Sequence, residues 1–113
     1  MRGIMKFRNS ANGEIIEVKR SIKQVKLLSV RGGYRYKHCD CDVFLFEDED
    51  GERWEYRNTY ARNTSRSHTR IGDELAFDEG RELQLSAYYI KTNEDSYGVI
   101  YRPRIIIKER VIF

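Results

Sequence analysis

Residues 41–60 read CDVFLFEDEDGERWEYRNTY, and this stretch decides the fold. Aromatic residues recur at every second position on both sides of an acidic run that ends in Asp50-Gly51. An Asp-Gly pair between two alternating runs is the strongest short-range signal for a β-hairpin. The stretch therefore predicts two antiparallel strands joined by a tight turn.

The face that the aromatic residues occupy depends on the length of the turn. A two-residue turn at Asp50-Gly51 pairs Leu45 with Tyr56 and points one alternating set into the protein: Cys41, Val43, Leu45, Trp54 and Tyr56. The exterior then interleaves rings with cations: Phe44, Phe46, Arg53 and Arg57. A three-residue loop instead buries Phe44 and Phe46 with Trp54 and Tyr56, because a slip of one residue inverts every face. The sequence leaves both registers open.

The chain before the hairpin predicts one long, bent strand. Residues 14–31 are rich in Ile and Val and carry no pair of helix caps, which favours extended structure. Arg31-Gly32-Gly33 then marks a turn or a bulge. Residues 1–13 are polar and basic, and we expect them to form an arm or an edge strand ahead of the domain.

The chain after the hairpin predicts a polar connection and two more strands. Residues 61–70 contain no large apolar residue and form a loop, and residues 71–77 form a short helix or strand. Alternating runs at 82–91 and 97–109 predict the last two strands. Pro103 lies inside the second of these, so we expect an edge strand or a bulge there.

Five strands in this order predict an all-β fold, a small five-stranded OB-like barrel with a long polar connection before strand 4. An SH3-like barrel or an open β-sandwich also fits the strand count. The expected organisation is a basic N-terminal arm over residues 1–13 and one barrel domain over residues 14–113.

A family resemblance rests on turns and alternation in about residues 41–106. The segments that carry it are residues 43–51, Trp54-Glu55-Tyr56, residues 77–91, Gly98, and Arg102-Pro103-Arg104-Ile105. The pattern resembles OB-fold domains that bind single-stranded nucleic acid, including those of small phage and prokaryotic replication proteins. The resemblance implies a barrel that binds a DNA or RNA strand on its surface, in replication or recombination.

The composition bounds the class of protein. The chain has 113 residues, two cysteines and no apolar stretch of transmembrane length, and its charged start has no secretory signal. We therefore expect a cytoplasmic domain without disulfides and without a membrane partner.

The net charge of +3 hides a strong alternation along the chain. Residues 1–38 carry an excess of eight positive charges and residues 57–70 an excess of four, whereas residues 39–56 carry seven negative charges in excess. If the fold gathers the basic blocks, a positive surface attracts polyanions. The alternative is that basic and acidic strands pair with each other.

Candidate nucleic-acid-binding residues combine rings for base stacking with cations for phosphates. Residues 31–38 alternate aromatic and cationic side chains on a glycine hinge, and a series of arginines follows the hairpin. The structural alternative for residues 31–38 is a solvated β-ribbon, and for the arginine series it is a solubilising loop. The candidates are Tyr34, Arg35, Tyr36, Lys37, Phe44, Phe46, Arg53, Trp54, Arg57, Arg62, Arg66 and Arg70.

Catalytic and metal-binding patterns are weak. His38, Cys39 and Cys41 lack the second ligand pair of a zinc site, since His68 is the only other histidine or cysteine. Nucleophile-elbow, zinc-protease, P-loop and dinucleotide motifs are absent from the sequence. We expect no catalytic residue, no metal and no cofactor, and hence no enzyme.

The sequence thus predicts a non-catalytic domain that binds single-stranded nucleic acid, DNA rather than RNA. The alternative is a protein-interaction or assembly module, such as a phage or complex subunit. Its motivation is the apolar last strand, with residues 105–107 and 111–113, whose open edge invites a homo-oligomer.

Overall fold

The computed structural model describes residues 3–9, 12–36, 39–61, 79–91 and 97–106, except for the side chains of residues 33–40, 60 and 61. The described chain is all-β. Its strands are β1 (Ile4–Arg8), β2 (Ile15–Lys19), β3 (Ser21–Tyr36), β4 (Cys39–Asp48), β5 (Arg53–Ala61), β6 (Glu82–Ile90) and β7 (Gly98–Ile106). Within these ranges no helical segment has the length and apolar character that a bilayer crossing requires.

Strands β3 to β7 close into a barrel in the order β3-β4-β5-β7-β6. Three consecutive antiparallel strands are followed by β6, which returns through a long connection to pair with β3, the arrangement of a Greek key. β7 closes the ring, parallel to β5 and antiparallel to β6. The predicted all-β fold with a five-stranded barrel is confirmed. Residues 62–78, with the loop and short element predicted there, lie outside the described residues.

Strands β1 and β2 form a separate antiparallel hairpin, with Ile4 opposite Lys19 and Arg8 opposite Ile15. The expectation of one bent strand over residues 14–31 is therefore wrong, because the chain leaves β2 at Arg20 and begins β3 at the next residue. β3 then continues through the glycine pair, with a shift of register between Arg31 and Tyr34. The bulge expected at the glycines is thus confirmed.

The β4–β5 hairpin turns through a three-residue loop, which fixes the faces of both strands. Phe46 lies opposite Trp54, and the strands are closed by the Asp48 N–H, which donates to the Glu52 carbonyl over 2.9 Å. Gly51 takes a φ of +81°, as the last residue of a three-residue loop requires. The two-residue register considered from the sequence is wrong, and the three-residue register is confirmed.

The barrel interior is built from alternate residues of all five strands. Phe46, Leu27 and Leu85 are completely shielded from solvent, and the Trp54 ring meets Tyr89 edge to face at 5.1 Å. The buried cluster is Val25, Leu27, Phe44, Phe46, Trp54, Leu83, Leu85, Ala87, Tyr89 and Ile100. Gly98 passes directly under the Trp54 ring, where any side chain would overlap the indole. This close approach holds β5, the third barrel strand, against β7.

A charged network closes the end of the core beside the hairpin loop. The Asp48 carboxylate is 5% exposed and accepts hydrogen bonds from the Trp54 indole N–H at 3.0 Å and from the backbone N–H groups of Asp50 and Glu52. The Lys23 ammonium lies 3.7 Å from this carboxylate. Burial raises the pKa of Asp48, but these hydrogen bonds and Lys23 outweigh burial and hold the pKa below its usual value.

Strand β7 contains a bulge that turns its middle outward. Two of its residues, Arg102 and Pro103, lie opposite the single residue Ala87 of β6. Arg102 takes a φ of +51°, which is uncommon outside glycine. The expectation of an irregular strand at Pro103 is confirmed, since proline cannot donate a ladder hydrogen bond.

Candidate functional site

The outward side chains of β3, β4 and β5 are arranged in rows, because cross-strand partners point to the same side of a sheet. Val43 of β4 lies between Arg31 of β3 and Arg57 of β5. Neighbouring strands are about 4.8 Å apart, so the backbones of the two arginines are about 10 Å apart with an apolar residue between them. The adjacent row contains Ser29, Leu45 and Glu55.

These rows form the floor of an open groove of about 670 Å³ on the outer surface of the barrel. Its centre is apolar, with Val43, Leu45 and the buried thiol of Cys41, and its sides are polar, charged or aromatic. The lining residues are Ser29, Arg31, Cys41, Val43, Leu45, Glu55, Arg57, Thr59, Tyr97 and Tyr101. An apolar floor between cations and aromatic rings can bind an elongated anion that also carries flat rings.

Two tyrosines form the β7 side of the groove. Val99 pairs with Glu55, which places β7 directly beside β5. Side chains alternate along a strand, so Tyr97 and Tyr101 point outward on the side opposite the buried Ile100. They are 48% and 43% exposed, and they are among the most exposed large hydrophobic side chains that the structure describes.

The arginines of the groove keep their charge accessible. Arg57 forms a 3.7 Å ion pair with Glu55, yet its side chain is 63% exposed. Exposed pairs of this kind contribute at most about 1 kcal/mol, so a polyanion can compete for the guanidinium. Arg31 is also exposed. The groove thus presents two cations and the single carboxylate of Glu55.

The hairpin-loop end of the same surface is neutralised instead. Lys26 lies opposite Glu47, and Glu47 lies opposite Arg53, with 3.4 Å between the Arg53 Nε and the Glu47 carboxylate. Tyr97 and then Glu47, as hydrogen-bond partners, raise the pKa of Arg53. The acidic block of residues 39–56 therefore pairs with basic neighbours near the loop, while the row of Arg31 and Arg57 faces an apolar residue.

The side chains of five sequence-predicted site residues are described. Arg57 lines the groove, and Arg53 lies beside Tyr97 at its edge. The expected interleaving of exterior rings with arginines is wrong, because Phe44, Phe46 and Trp54 are at most 6% exposed inside the barrel. In this register a base has no access to their faces.

The other predicted site residues cannot be placed in the groove. Tyr34, Arg35 and Tyr36 belong to the backbone of β3, where Tyr34 pairs with Cys41, but their side chains lie outside the described residues. Lys37, Arg62, Arg66 and Arg70 lie outside the described residues entirely.

Of the ten described residues that line the groove, only Arg57 was a sequence-predicted site residue; the cation and the rings that were missed are Arg31, Tyr97 and Tyr101. The local signal for the tyrosines was their even spacing on either side of Val99, but their place beside β5 depends on the closing of the barrel by β7. Arg31 belongs to the basic first third of the chain, and the two glycines after it predicted a turn or a bulge. Its position in a strand, opposite Val43, was not predicted.

The described residues hold no group of three or more His, Cys, Asp or Glu side chains arranged for a metal ion. Cys41 lies in the floor of the groove with 5% of its surface exposed, and its thiol lies 3.6 Å from the carbonyl oxygen of Asp42. Cys39 and His38, the other residues of the cysteine-rich segment, have no described side chains.

The fold and the groove define a small Greek-key β-barrel with an open, cation-flanked cleft on the outer face of its second and third strands. Comparisons with protein-family models, with curated proteins and with solved structures give no significant match.

Proposed function

We propose that this protein binds single-stranded nucleic acid, DNA rather than RNA, in the groove and without chemistry. The observation that carries the proposal is the row in which Arg31 and Arg57 flank Val43 beside two exposed tyrosines. OB-like barrels bind oligonucleotides on the outer face of their second and third strands, with help from the loop between the fourth and fifth. Here those strands are β4 and β5, and Tyr97 follows the β6–β7 loop.

Each part of the groove matches one part of a nucleotide. Tyr97 and Tyr101 offer ring faces on which bases stack, and a stacked base is worth about 1–3 kcal/mol. The two arginines contact phosphates, whose binding releases counterions and weakens as salt is added. Val43 and Leu45 offer an apolar surface to sugars and base edges.

The negative charge of Glu55 disfavours an anionic ligand, so this residue tests the charge of the ligand. Its carboxylate lies in the groove, 28% exposed, and holds Arg57 at 3.7 Å. Removal of its charge lowers repulsion of phosphate and frees the guanidinium. A ligand without negative charge gains nothing from this change, so Glu55 separates a nucleic acid from a neutral sugar chain.

The stacking contribution is tested by fluorescence anisotropy with a labelled single-stranded DNA of about 16 nucleotides at low salt. Tyr97→Ala or Tyr101→Ala is expected to raise Kd by about five- to 150-fold, the range that stacking implies. Tyr97→Phe and Tyr101→Phe keep the ring and serve as matched controls with Kd close to that of the unmodified protein. The same titration with RNA of equal sequence tests the choice of DNA.

The electrostatic contribution is tested with two ion pairs of similar length. Arg57→Gln should weaken binding and reduce the slope of log K against log salt by about 0.7, as loss of one phosphate contact requires. Glu55→Gln should tighten binding severalfold. Lys6 and Glu17 form a comparable exposed pair at 3.8 Å on the β1–β2 hairpin, and Lys6→Gln and Glu17→Gln should change Kd little.

Three outcomes contradict the proposal. They are no affinity at low salt, affinity independent of salt, or equal effects on Kd of the groove variants (Arg57→Gln, Glu55→Gln) and the β1–β2 hairpin variants (Lys6→Gln, Glu17→Gln). A defined oligomer in light scattering, together with no oligonucleotide binding, supports the assembly module instead.

A further inference from the structure

The β1–β2 hairpin contacts the groove residue Tyr101 through the side chain of Phe7. The ring of Phe7 lies 4.8 Å from the ring of Tyr101, with an angle of 38° between their planes. Phe7 is half-buried, whereas Tyr101 is 43% exposed and lines the groove. A residue outside the barrel therefore covers one side of a tyrosine whose other surface faces the candidate ligand.

The hairpin has a fixed place because Arg20 anchors its end to the barrel. The Arg20 backbone N–H donates to the Gly3 carbonyl over 2.8 Å, which closes the hairpin. Its guanidinium donates to the carbonyl oxygen of Ser86 at 2.9 Å and to that of Arg102 at 2.7 Å, and it lies 4.7 Å above the Tyr88 ring. These carbonyls belong to the bulged part of the β6–β7 ladder.

Arg20 therefore holds the hairpin against the segment that displays Tyr101. Tyr101 directly precedes Arg102, the bulge residue with positive φ whose carbonyl oxygen accepts a hydrogen bond from Arg20. The alternating pattern of the hairpin fits this placement. Its inner face is half-buried and apolar, with Met5, Phe7, Ile16 and Val18, and its outer face carries the exposed Lys6 and Glu17.

We propose that Phe7 is a positioning residue for Tyr101 and that the β1–β2 hairpin supports the β7 side of the nucleic-acid groove. An exposed tyrosine on a bulged strand loses rotamer freedom when a base stacks on it. Phe7 restricts Tyr101 before the ligand arrives, and each side chain ordered in advance improves affinity by about two- to tenfold. This inference rests on the proposed function, since it assigns a role within the same groove.

The test is a double-mutant cycle on oligonucleotide affinity. Phe7→Ala is expected to raise Kd about two- to tenfold in the otherwise unmodified protein and to leave Kd unchanged in the Tyr101→Ala background. Phe7→Tyr keeps a ring at this position and should restore the affinity. Met5→Ala truncates the same hairpin face, where Met5 pairs with Val18, and should leave Kd unchanged.

A measurement on the ligand-free protein distinguishes a structural role of Phe7 from a positioning role. In protein with isotope-labelled tyrosine rings, nuclear spin relaxation should show increased motion of the Tyr101 ring in Phe7→Ala and unchanged motion in Met5→Ala. Unchanged motion of the Tyr101 ring in Phe7→Ala overturns the inference.

The affinity outcomes distinguish the two proposals. Equal losses from Phe7→Ala with and without Tyr101, or an equal loss from Met5→Ala, overturn the positioning role while the groove remains the binding site. No effect of Tyr101→Ala beside clear effects of Tyr97 and Arg57 variants also overturns it. Absence of any binding by the unmodified protein overturns both.

Discussion

The inner and outer faces of the β4–β5 hairpin differ sharply in burial and composition. On the inner face Phe44, Phe46 and Trp54 are at most 6% exposed and make the centre of the core. On the outer face Val43 and Leu45 are half-buried in an open groove. Both faces come from the same strands, separated only by the two-residue period of a β-strand.

This difference shows that aromatic residues and arginines on adjacent positions do not make a shared binding surface. The rings stabilise the barrel because they are removed from water, and the arginines remain outside because burial of an unpaired charge is costly. The aromatic part of the groove comes instead from Tyr101 of β7 and from Tyr97 just before it, which are distant in sequence. The candidate site therefore depends on closure of the barrel.

The largest effect expected from a single substitution is on the inner face. Phe46→Ala should lower the free energy of unfolding by about 3–5 kcal/mol, because it leaves a cavity in a fully buried site. Its neighbour Leu45 is half-buried on the outer face. Leu45→Ala should therefore lower the free energy of unfolding by clearly less than Phe46→Ala does. Urea unfolding followed by circular dichroism measures both values.

The two substitutions should have effects of the opposite order on oligonucleotide affinity. Leu45→Ala removes part of the groove floor and should raise Kd, whereas Phe46→Ala, measured under conditions where it is folded, should not. Similar stability losses for both substitutions, or a binding loss confined to Phe46, contradict the assignment of faces.

A smaller effect is expected at the polar end of the inner face. Asp48→Ala should lower the free energy of unfolding by about 2 kcal/mol at pH 7, since it removes a nearly buried acceptor of three hydrogen bonds. Because the folded-state pKa of Asp48 lies below the ordinary value of 3.8, its contribution is present above that value and disappears as pH falls through the folded-state pKa. The measurement is urea unfolding of both proteins from pH 7 down to about pH 2.

The matched control for Asp48→Ala is Glu49→Ala, at an exposed position of the same loop. It should change the free energy of unfolding by no more than about 0.5 kcal/mol. A difference between the Asp48 variant and the unmodified protein that persists at full size below the folded-state pKa contradicts the ionised network with Lys23 and Trp54.

The strands of the hairpin were predictable from local sequence, but their register was not. Asp50-Gly51 is a strong signal for a turn and a weak one for its length. The structural outcome depends on Asp48, whose carboxylate accepts the N–H groups of both Asp50 and Glu52 and supports one further loop residue. An aspartate three residues before the glycine was the available signal for the longer loop.

Other features depended on contacts between distant parts of the chain. The five strands of the barrel, an irregularity at Gly32-Gly33 and another at Pro103 follow from local backbone preferences and were predicted, whereas the separate β1–β2 hairpin was not. The break at Arg20 was missed, since its guanidinium partners Ser86 and Arg102 lie far along the chain. The groove tyrosines were missed for the same reason.

The most direct test of the account is a methyl nuclear magnetic resonance titration with single-stranded DNA. Val43 and Leu45 lie in the groove, and Leu27 and Leu85 are fully shielded in the core, so the four residues report on the two sides of the barrel wall. Stacked bases produce ring-current shifts in nearby methyl groups. We predict progressive shifts for Val43 and Leu45 with little change for Leu27 and Leu85. Binding that leaves the Val43 and Leu45 methyls unmoved would contradict the central claim.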